Sequence, residues 1–439
     1  MSSVLAVLLI ALFPATAQAT GPALTKTEQL NPRLSELTFT TPALSYETHV
    51  RVLTPTGYDA SGHTRYPVLY LLHGAVDDYK SWTDKGDAQA ITAGLPLIVV
   101  MPDAGQFGNY TNWFNDGAFG PPEWETWHVG QLIPWVDAHY PTIASRRGRA
   151  TAGLSMGGGG AMSYAARHPD LFVSAASFSG AVDTNSPGVQ GVNEASGLSD
   201  GSQTPGAIFG QRATEEVRWR AHNPWDLAAN LHGLFLTLRT GNGQPGGPGG
   251  DSGDPIEAEV HTESVNMHDR LDELKLPHVW DDYGAGGHAW YYWQRDLRET
   301  LPDIMRTFAK PPAPPSPFDF RAVEPKYGVY GWRVAIDRPA LEWSELHAAS
   351  AKGFKLLGSG TARVRTARYY RPHSIVRATV RAGAGPKTRK LRAGRNGRVT
   401  VDVPIGPGNA AQEYSPAATA SGTPVHAVKV ALRGRRRGR

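Results

Sequence analysis

A glycine-flanked serine stands between a short apolar run and a helix-forming stretch of this sequence. The motif is Gly153-Leu-Ser-Met-Gly157, and Pro169 stands where the following helix should end. A G-x-S-x-G pattern between a strand and a helix holds its serine in a strained turn that lifts the hydroxyl above the sheet. The helix N-terminus behind it favours developing negative charge. The sequence therefore predicts Ser155 as a nucleophile for acyl chemistry, with an ordinary serine in a glycine-rich turn as the alternative.

The segments around this serine have the pattern of a buried, parallel sheet. Runs that are apolar on both faces alternate with helical stretches, among them Trp124–Tyr140. Doubly wound α/β sheets of this kind bind ligands beyond the carboxyl ends of their strands, where His73, Ser155 and Gly241 fall. The predicted strands lie within Leu37–Thr41, Thr48–Leu53, Tyr66–Gly74, Leu97–Met101, Arg149–Leu154, Phe172–Phe178 and Leu234–Leu238.

Six short motifs follow one another along this part of the chain. They are His73-Gly-Ala75, Trp124-Glu-Thr126, Gly153-Leu-Ser-Met-Gly157, Trp219 to Asn223-Pro224, Gly241-Asn-Gly243 and Gly287-His-Ala-Trp-Tyr-Tyr-Trp293. In this order they resemble the secreted esterase family that includes the antigen-85-type mycolyltransferases and related carboxylesterases. The resemblance runs from about Leu30 to Phe308. It implies an α/β-hydrolase fold, a Ser–Glu–His triad in that chain order, and acyl hydrolysis or acyl transfer.

The histidine and the acid of the implied triad fall on two stretches after the serine. His288 lies in a glycine-rich loop before an aromatic helix, where the hydrolase order places the base. After Asp254-Pro255 comes a helix with an apolar stripe, and stepping back three residues from Val260 reaches Glu257 on its inward face. The family also carries its acid in this first turn. We therefore expect Glu257 to orient His288, with Glu259 as the alternative and a plain charge cluster as the structural interpretation.

The oxyanion of an acyl-transfer intermediate needs backbone N–H donors. Met156, directly after the nucleophile, supplies one, and Ala75 matches the family's second donor. Trp82, Trp290 and Asp103 are predicted substrate-binding residues, because aromatic rings can form an apolar or sugar-stacking cleft and Asp103 ends a strand. Core packing and a structural turn are the alternatives for these residues.

The sequence departs from the mycolyltransferases at their sugar site. Those enzymes carry an Asp before the oxyanion-loop Gly and an Arg just after it, whereas this chain has His73 and no such Arg before Asp77-Asp78. We therefore expect a serine carboxylesterase or acyltransferase that acts on lipid or sugar esters through an acyl-enzyme, without cofactor or metal. Mycolyl or other acyl transfer to a sugar or alcohol acceptor is one alternative. A non-catalytic envelope-binding protein on a hydrolase fold is the other.

Charge and composition divide the chain into segments. From Phe318 onward there are 24 basic and 7 acidic residues, a net +17, whereas the preceding residues hold 20 basic and 33 acidic ones, a net −13. Opposite fields indicate two domains. The predicted segments are a signal peptide (1–19), an α/β-hydrolase domain (20–310), a proline-rich linker (311–317), a basic β-domain (318–432) and a disordered basic tail (433–439).

The basic region has the short alternating runs of a small sandwich-like β-domain. Asn396-Gly397 is typical of a type I′ turn and predicts a hairpin between the run ending at Arg381 and the run starting at Arg398. We expect this domain to bind an anionic cell-envelope polymer or the acidic domain, and not nucleic acid, since the leader predicts secretion. No transmembrane segment is predicted. We also expect a chain ending near Lys310 to fold and hydrolyse soluble esters.

Overall fold

The computed structural model describes residues 21–188, 206–250, 252–383 and 385–437. The predicted signal peptide, residues 1–19, lies outside these ranges. Within them, the chain forms an α/β region followed by an all-β region. Among the helices of the described residues, none combines the length and apolar character needed to cross a bilayer.

The described part of the α/β region contains one sheet of nine strands. These are β1 (Ala23–Gln29), β2 (Leu34–Thr40), β3 (Thr48–Leu53), β4 (Val68–Leu72), β5 (Ile98–Pro102), β6 (Arg149–Leu154), β7 (Ser174–Phe178), β8 (Phe235–Thr240) and β9 (His278–Asp282). Their spatial order is β1-β2-β3-β5-β4-β6-β7-β8-β9. The first three pairings are antiparallel and the other five are parallel. The predicted parallel sheet is therefore the larger part of a mixed one.

Helices connect these strands. The described α-helices of this region are α1 (Ser81–Asp84), α2 (Ala88–Ile91), α3 (Ile133–His139), α4 (Met156–Arg167), α5 (Arg212–His222), α6 (Pro224–Leu227), α7 (Pro255–Glu273) and α8 (Trp290–Ala309). A π-helical segment, Thr126–Leu132, runs directly into α3, so the helix predicted over Trp124–Tyr140 changes its register part-way. Short 3₁₀ turns lie at Asn115–Gly117, Arg146–Gly148 and Ala228–Leu231.

Both faces of the sheet are covered, as strand β4 shows. Val68, Tyr70 and Leu72 pack into one hydrophobic core with residues of α3, α4 and α7. Leu69 and Leu71 pack into a second core on the opposite face, where α8 lies. Because successive side chains of a strand point to opposite faces, a strand buried on both sides must be apolar throughout. Each such side chain contributes roughly 1.5–3 kcal/mol on burial.

The all-β region consists of two sheets that share one hydrophobic core. In the described residues, six strands form the larger sheet in the order β10-β13-β14-β19-β16-β17, and four form the smaller in the order β11-β12-β15-β18. The strands are β10 (Phe318–Ala322), β11 (Lys326–Val329), β12 (Trp332–Asp337), β13 (Ser344–Ser350), β14 (Gly353–Gly358), β15 (Gly360–Arg365), β16 (Ile375–Ala382), β17 (Gly385–Arg392), β18 (Thr400–Gly406) and β19 (His426–Gly434), with a short helix α9 (Pro416–Ser421) before the last strand.

Two details of this region correct the sequence prediction. Asn396-Gly397 does form a tight turn, with the Gly397 N–H donating to Gly394 O (2.8 Å). The turn joins β17 to β18 in different sheets, however, and β16 pairs with β17 instead. The last strand also passes the predicted end of the domain at 432, and Arg436 forms an isolated bridge with Tyr370, so residues 433–437 are paired and not a free tail.

The two regions are packed against each other. Val323 and Trp343 of the β-region belong to the hydrophobic core on the α4 face of the large sheet. Arg167, at the end of α4, donates to Glu125 (2.9 Å) in the α/β region and to Glu324 (2.7 Å) in the β-region. These contacts count against the expectation that a chain ending near Lys310 would fold unaided, because truncation would remove core residues and leave Arg167 with one carboxylate.

Candidate active site

Ser155 occupies a strained turn between β6 and α4. Its backbone has φ 52° and ψ −123°, outside the regions that non-glycine residues ordinarily adopt. The turn is possible because its neighbours lack side chains. A Cβ at Gly153 would lie 2.3 Å from Gly157 O, and one at Gly157 would lie 2.5 Å from His73 O. The α4 residues 157–160 are all glycines and all buried, so the helix N-terminus lies directly against the sheet.

The three predicted triad residues meet in space. The Ser155 hydroxyl lies 2.9 Å from His288 Nε2, and His288 Nδ1 lies 2.8 Å from Glu257 Oε2. Because a carboxylate only accepts hydrogen bonds, the imidazole carries its proton on Nδ1 and offers the Nε2 lone pair to the serine. Glu257 is fully buried, and the His288 side chain is 11% exposed. This arrangement can remove the serine proton as the hydroxyl attacks a carbonyl carbon.

The Glu257 carboxylate has hydrogen-bond donors on both oxygens. Oε1 accepts from the Ser179 hydroxyl (2.8 Å) and the Gly241 N–H (2.7 Å), and the Thr240 hydroxyl lies 3.1 Å away. A buried carboxylate needs such partners to offset its lost hydration. Its place in the first turn of α7 adds the favourable field of a helix N-terminus. Sequence reasoning missed Ser179, for which no local signal exists.

Asp254 links the two segments that carry Glu257 and His288. Its Oδ1 accepts from the backbone N–H groups of Ile256 (2.9 Å) and Glu257 (3.2 Å), which caps α7, while Oδ2 accepts from the His288 N–H (2.7 Å). Burial alone would raise the pKa of Asp254, but these three donors outweigh it and lower the pKa below its ordinary value. The Asp-Pro pair at a helix start was the sequence signal for this cap.

The predicted oxyanion donors are the N–H groups of Met156, which follows the serine, and of Ala75, which follows a glycine close to the serine side chain. Among the described residues outside helices and strands, no backbone hydrogen bond uses the Ala75 N–H as donor. The Met156 N–H stands at the first position of α4, where a helix offers no acceptor, so both groups can donate to a substrate. The His73 ring accepts from Ala104 N–H at Nε2 (2.9 Å) and donates from Nδ1 to Gly74 O (2.8 Å). Since a trans peptide directs its C=O and N–H oppositely, this bond fixes the direction of the Ala75 N–H.

The three predicted substrate residues have different surroundings. Trp82 is 1% exposed and donates from Nε1 to Leu72 O (2.9 Å), so its predicted contact with substrate is corrected to a packing role. Its ring meets Trp290 edge-to-face (5.2 Å), Trp290 meets Trp293 (5.3 Å), and Trp293 meets His288 (4.9 Å). The half-buried Trp290 therefore belongs to a series of edge-to-face ring contacts that ends on the His288 imidazole.

Asp103 lies below the oxyanion loop. Its Oδ1 is 3.4 Å from His73 Nε2, but that nitrogen already accepts the Ala104 N–H, so the two side chains do not form an ion pair. Asp103 also lines a cavity of about 340 Å³ with Val76, Asp77 and Lys85. The structure thus places Asp103 beside the site and leaves its carboxylate open to a polar ligand.

Two other groups lie away from the triad. Glu259, the alternative acid, accepts from the Ser186 hydroxyl. Within the described ranges, one group of side chains could hold a metal ion: His268, Asp272 and His278, whose ligand atoms lie within 4.8 Å of one another. His268 follows Glu257 by eleven residues on α7, roughly 16 Å along the helix axis, so this group lies outside the catalytic constellation.

Comparison with known proteins gives a consistent result. Residues 41–304 match the model of the family described as "Putative esterase". Esterase Rv1288 of Mycobacterium tuberculosis (strain ATCC 25618 / H37Rv) is 36% identical over 263 residues, which cover 59% of this chain and 56% of the relative. The chain thus spans about half the length of that relative. The diacylglycerol acyltransferase/mycolyltransferase Ag85B of Mycobacterium leprae (strain TN) is 30% identical over 270 residues, covering 57% of this chain and 79% of the relative.

Solved structures that resemble the chain cover a similar share of it. The M. tuberculosis protein MPT51 (FbpC1) has 25% sequence identity and a TM-score of 0.49, with 61% of this chain and 96% of that one covered. A ferulic acid esterase has 23% identity and a TM-score of 0.48, with coverages of 62% and 98%.

Proposed function

The chain belongs to this esterase family, and on that premise we propose that it is a secreted serine carboxylesterase of α/β-hydrolase fold. The observation that carries the proposal is the hydrogen-bonded line from the Ser155 hydroxyl through His288 to the buried Glu257 carboxylate. A binding protein has no need of a strained serine, an oriented imidazole and a buried acid together. Mycolyl or other acyl transfer by the same residues is the second candidate.

Acylation of the serine is the first half of the proposed reaction. The Ser155 Oγ attacks the ester carbonyl carbon while its proton passes to His288 Nε2, and Glu257 stabilises the resulting imidazolium. The carbonyl oxygen becomes an oxyanion that accepts from the N–H groups of Ala75 and Met156. The C–O bond to the alcohol then breaks, and His288 returns the proton to the leaving oxygen. The products are the free alcohol and an acyl-Ser155 ester.

Deacylation repeats these steps with a second nucleophile. His288 takes a proton from water or from an acceptor alcohol, whose oxygen attacks the acyl carbon through a second oxyanion. Collapse of that intermediate breaks the bond to the Ser155 oxygen, which recovers its proton from His288. Water yields the carboxylic acid and an alcohol yields a new ester. The lack of the family's sugar-site Arg in this chain favours water over a trehalose-like acceptor.

The predicted leader supports the proposed placement of this activity in the cell envelope. The apolar leader ends in Ala17-Gln-Ala19, which has the small-x-small form of a cleavage site. The chain has no cysteine, so the exported fold is held by its hydrophobic cores. We therefore propose lipid or sugar esters of the envelope as substrates.

The proposal is tested with a series of p-nitrophenyl esters of increasing acyl length, each assayed with and without a sugar acceptor. Wild type is expected to release p-nitrophenol, whereas Ser155→Ala should lose activity and labelling by a fluorophosphonate probe. Ser163→Ala, two turns further along α4, is the matched control and should keep both.

Three results would change the proposal. A Ser155→Ala variant with near-wild-type rate would remove the serine from the mechanism. Activity that rises only with an acceptor, with a new ester as product, would favour acyl transfer. A wild type that neither hydrolyses any ester nor reacts with the probe would favour a non-catalytic binding protein.

A further inference from the structure

The outer face of the four-stranded sheet carries a group of basic side chains. Arg333 of β12 lies directly opposite Arg365 of β15, and the next outward row pairs Lys326, Ala335 and Arg363 across β11, β12 and β15. Inward residues between them, such as Val334 and Val364, are buried, whereas the four basic residues are exposed. We call Lys326, Arg333, Arg363 and Arg365 the arginine face.

Most of this charge has no acidic partner. Arg363 pairs with Asp402 (2.9 Å), but no described residue forms an ion pair with Lys326, Arg333 or Arg365. Like charges directly opposite in an antiparallel pair are destabilising. An exposed sheet that keeps Arg333 and Arg365 opposite each other therefore has an uncompensated positive field, as an anion-binding surface requires.

Arg398 and Arg368 extend this positive field along one end of the sheet. Arg398 is half-buried and donates to Gly331 O and Thr366 O. Burial first, and then the neighbouring guanidinium groups of Arg365, Arg368 and Arg333, lower the pKa of Arg398. The repulsion shows that these groups lie within electrostatic range of one another. A bound oxyanion would relieve it.

The arginine face is concave. Gly328 and Ala335 carry little or no side chain between the basic ones, and the resulting cavity has a volume of about 560 Å³. That volume lies within the usual range of ligand sites. The remaining lining residues include Thr400, which can donate or accept a hydrogen bond. The cavity can therefore accept a segment of a polymeric ligand that carries polar groups.

We propose that the arginine face binds an anionic polysaccharide whose sugars carry carboxylate groups. Each guanidinium can donate two parallel N–H bonds to one carboxylate, so the opposed pair can hold two carboxylates of one chain. Single-stranded nucleic acid would need aromatic rings for base stacking. Among the described residues, the aromatic residue that lines the cavity is Tyr327, and its ring is directed inward, where it packs on Phe320 (centroids 5.5 Å) and its hydroxyl bonds to Ser344. The net charge of −13 before Phe318 keeps such a polymer off the α/β region.

The full-length protein is tested for binding to polygalacturonate by affinity electrophoresis and by calorimetry at low and high salt. We expect Arg333→Gln/Arg365→Gln to weaken binding by about tenfold or more, with a smaller salt dependence than wild type. The matched control is Lys387→Gln/Lys390→Gln, which removes the same charge from the exposed strand β17 of the other sheet and should change affinity by less than about twofold. Both variants should keep the wild-type rate on a soluble ester.

The thermal midpoint separates a binding role from a structural one. Removing two opposed like charges should leave the midpoint unchanged or raise it. A fall in midpoint together with lost binding would assign the arginines to the fold and overturn the proposal. So would equal weakening by the control variant, no wild-type binding, or tighter binding of a phosphodiester polymer or single-stranded DNA than of polygalacturonate.

Discussion

The candidate catalytic site and the arginine face, one in each region of the molecule, place charged side chains in opposite ways. In the α/β region, the Glu257 carboxylate is fully buried and is held by fixed hydrogen-bond donors. In the β-region, Arg333 and Arg365 stand on an exposed sheet face without acidic partners. Acyl chemistry needs a carboxylate that is shielded from water and fixed toward the imidazole, whereas binding of an anionic polymer needs positive charges whose electrostatic field extends into water. The contrast therefore fits the proposed division into a catalytic region and a polymer-binding region.

Strand patterns show the same difference. All five residues of β4 are buried, whereas buried and exposed residues alternate strictly along β15. A strand that is buried on both faces has no position at which a charged side chain can be introduced without burying it. A strand buried on one face has every second position available. Substitutions should consequently affect catalysis and folding in the first region and binding in the second.

The largest expected effect is that of removing the imidazole. His288→Ala should lower kcat/KM on a short p-nitrophenyl ester by about 10⁴-fold or more, because no other group can take the serine proton. Polygalacturonate binding should stay at the wild-type level, since His288 lies in the other region. Steady-state kinetics and affinity electrophoresis measure the two quantities, with the exposed loop residue His63→Ala as control. Loss of both esterase activity and polygalacturonate binding in His288→Ala would contradict the proposed division of roles between the two regions.

A smaller but still large effect is expected for the buried acid. Glu257→Gln should lower kcat by roughly 10³-fold, because the amide neither stabilises the imidazolium by charge nor holds the neutral imidazole in its Nδ1–H tautomer. Glu259→Gln should change kcat by less than about threefold, since its carboxylate bonds to Ser186 instead of His288. The comparison uses single-turnover rates of the two variants. The reverse order would transfer the role of the acid to Glu259.

The junction between the regions should contribute to stability and not to chemistry. Glu324→Gln removes the negative partner of Arg167 across the junction and should lower the free energy of unfolding by about 1–2 kcal/mol. Asp402→Asn breaks an exposed pair with Arg363 and should cost less than about 0.5 kcal/mol. Urea denaturation of the full chain measures both. Equal changes would mean that the junction is no more than a surface contact.

The smallest effect expected is a pH dependence of the free energy of unfolding that comes from one buried carboxyl of the α/β region. Burial, with Asp183 and Glu259 nearby, raises the pKa of the Glu263 carboxyl well above its ordinary value. The native state then holds a proton that the unfolded chain releases above about pH 4.5. The free energy of unfolding of the wild type therefore falls as the pH rises from about 4.5 toward the raised pKa of the native state. Glu263→Gln stays uncharged.

The stability advantage of Glu263→Gln over wild type should therefore widen from pH 5 to pH 8. Urea unfolding at three pH values measures it, and Glu273→Gln, an exposed carboxyl at the end of the same helix, is the control. A gap that is constant with pH would show that Glu263 is ionised in the folded protein.

Local patterns account for the part of the site that the sequence predicts. Ser155 and His288 stand in glycine-rich turns whose chemistry is set by immediate neighbours, and Glu257 follows from the spacing of one helical stripe. The hydrogen bonds that hold Glu257 and His288 in place join segments that are far apart in the chain. Asp254 meets His288 across 34 residues and Ser179 meets Glu257 across 78, so no local spacing could reveal them.

The errors have the same physical origin. Trp82 belongs to the aromatic residues near the site, but only the packed structure shows that Leu72 and Trp290 enclose it. The Asn396-Gly397 pair determines a turn and does not determine which sheet its strands join. Opposite net charges predicted two regions correctly in kind, yet charge carries no information about Val323 and Trp343, which join the hydrophobic core of the first region.

The four glycines that open helix α4 have a consequence for folding. Relative to alanine, each glycine disfavours a helix by about 0.8–1 kcal/mol, so residues 157–160 together disfavour α4 by roughly 3–4 kcal/mol. An isolated α4 segment cannot offset the cost of nucleation, and the helix should form only when β4, β6 and β7 present the surface on which it packs. The strained turn at Ser155 depends on that helix. The proposed nucleophile should therefore arise with the tertiary structure, and we expect a partly synthesised chain to carry a serine of ordinary reactivity.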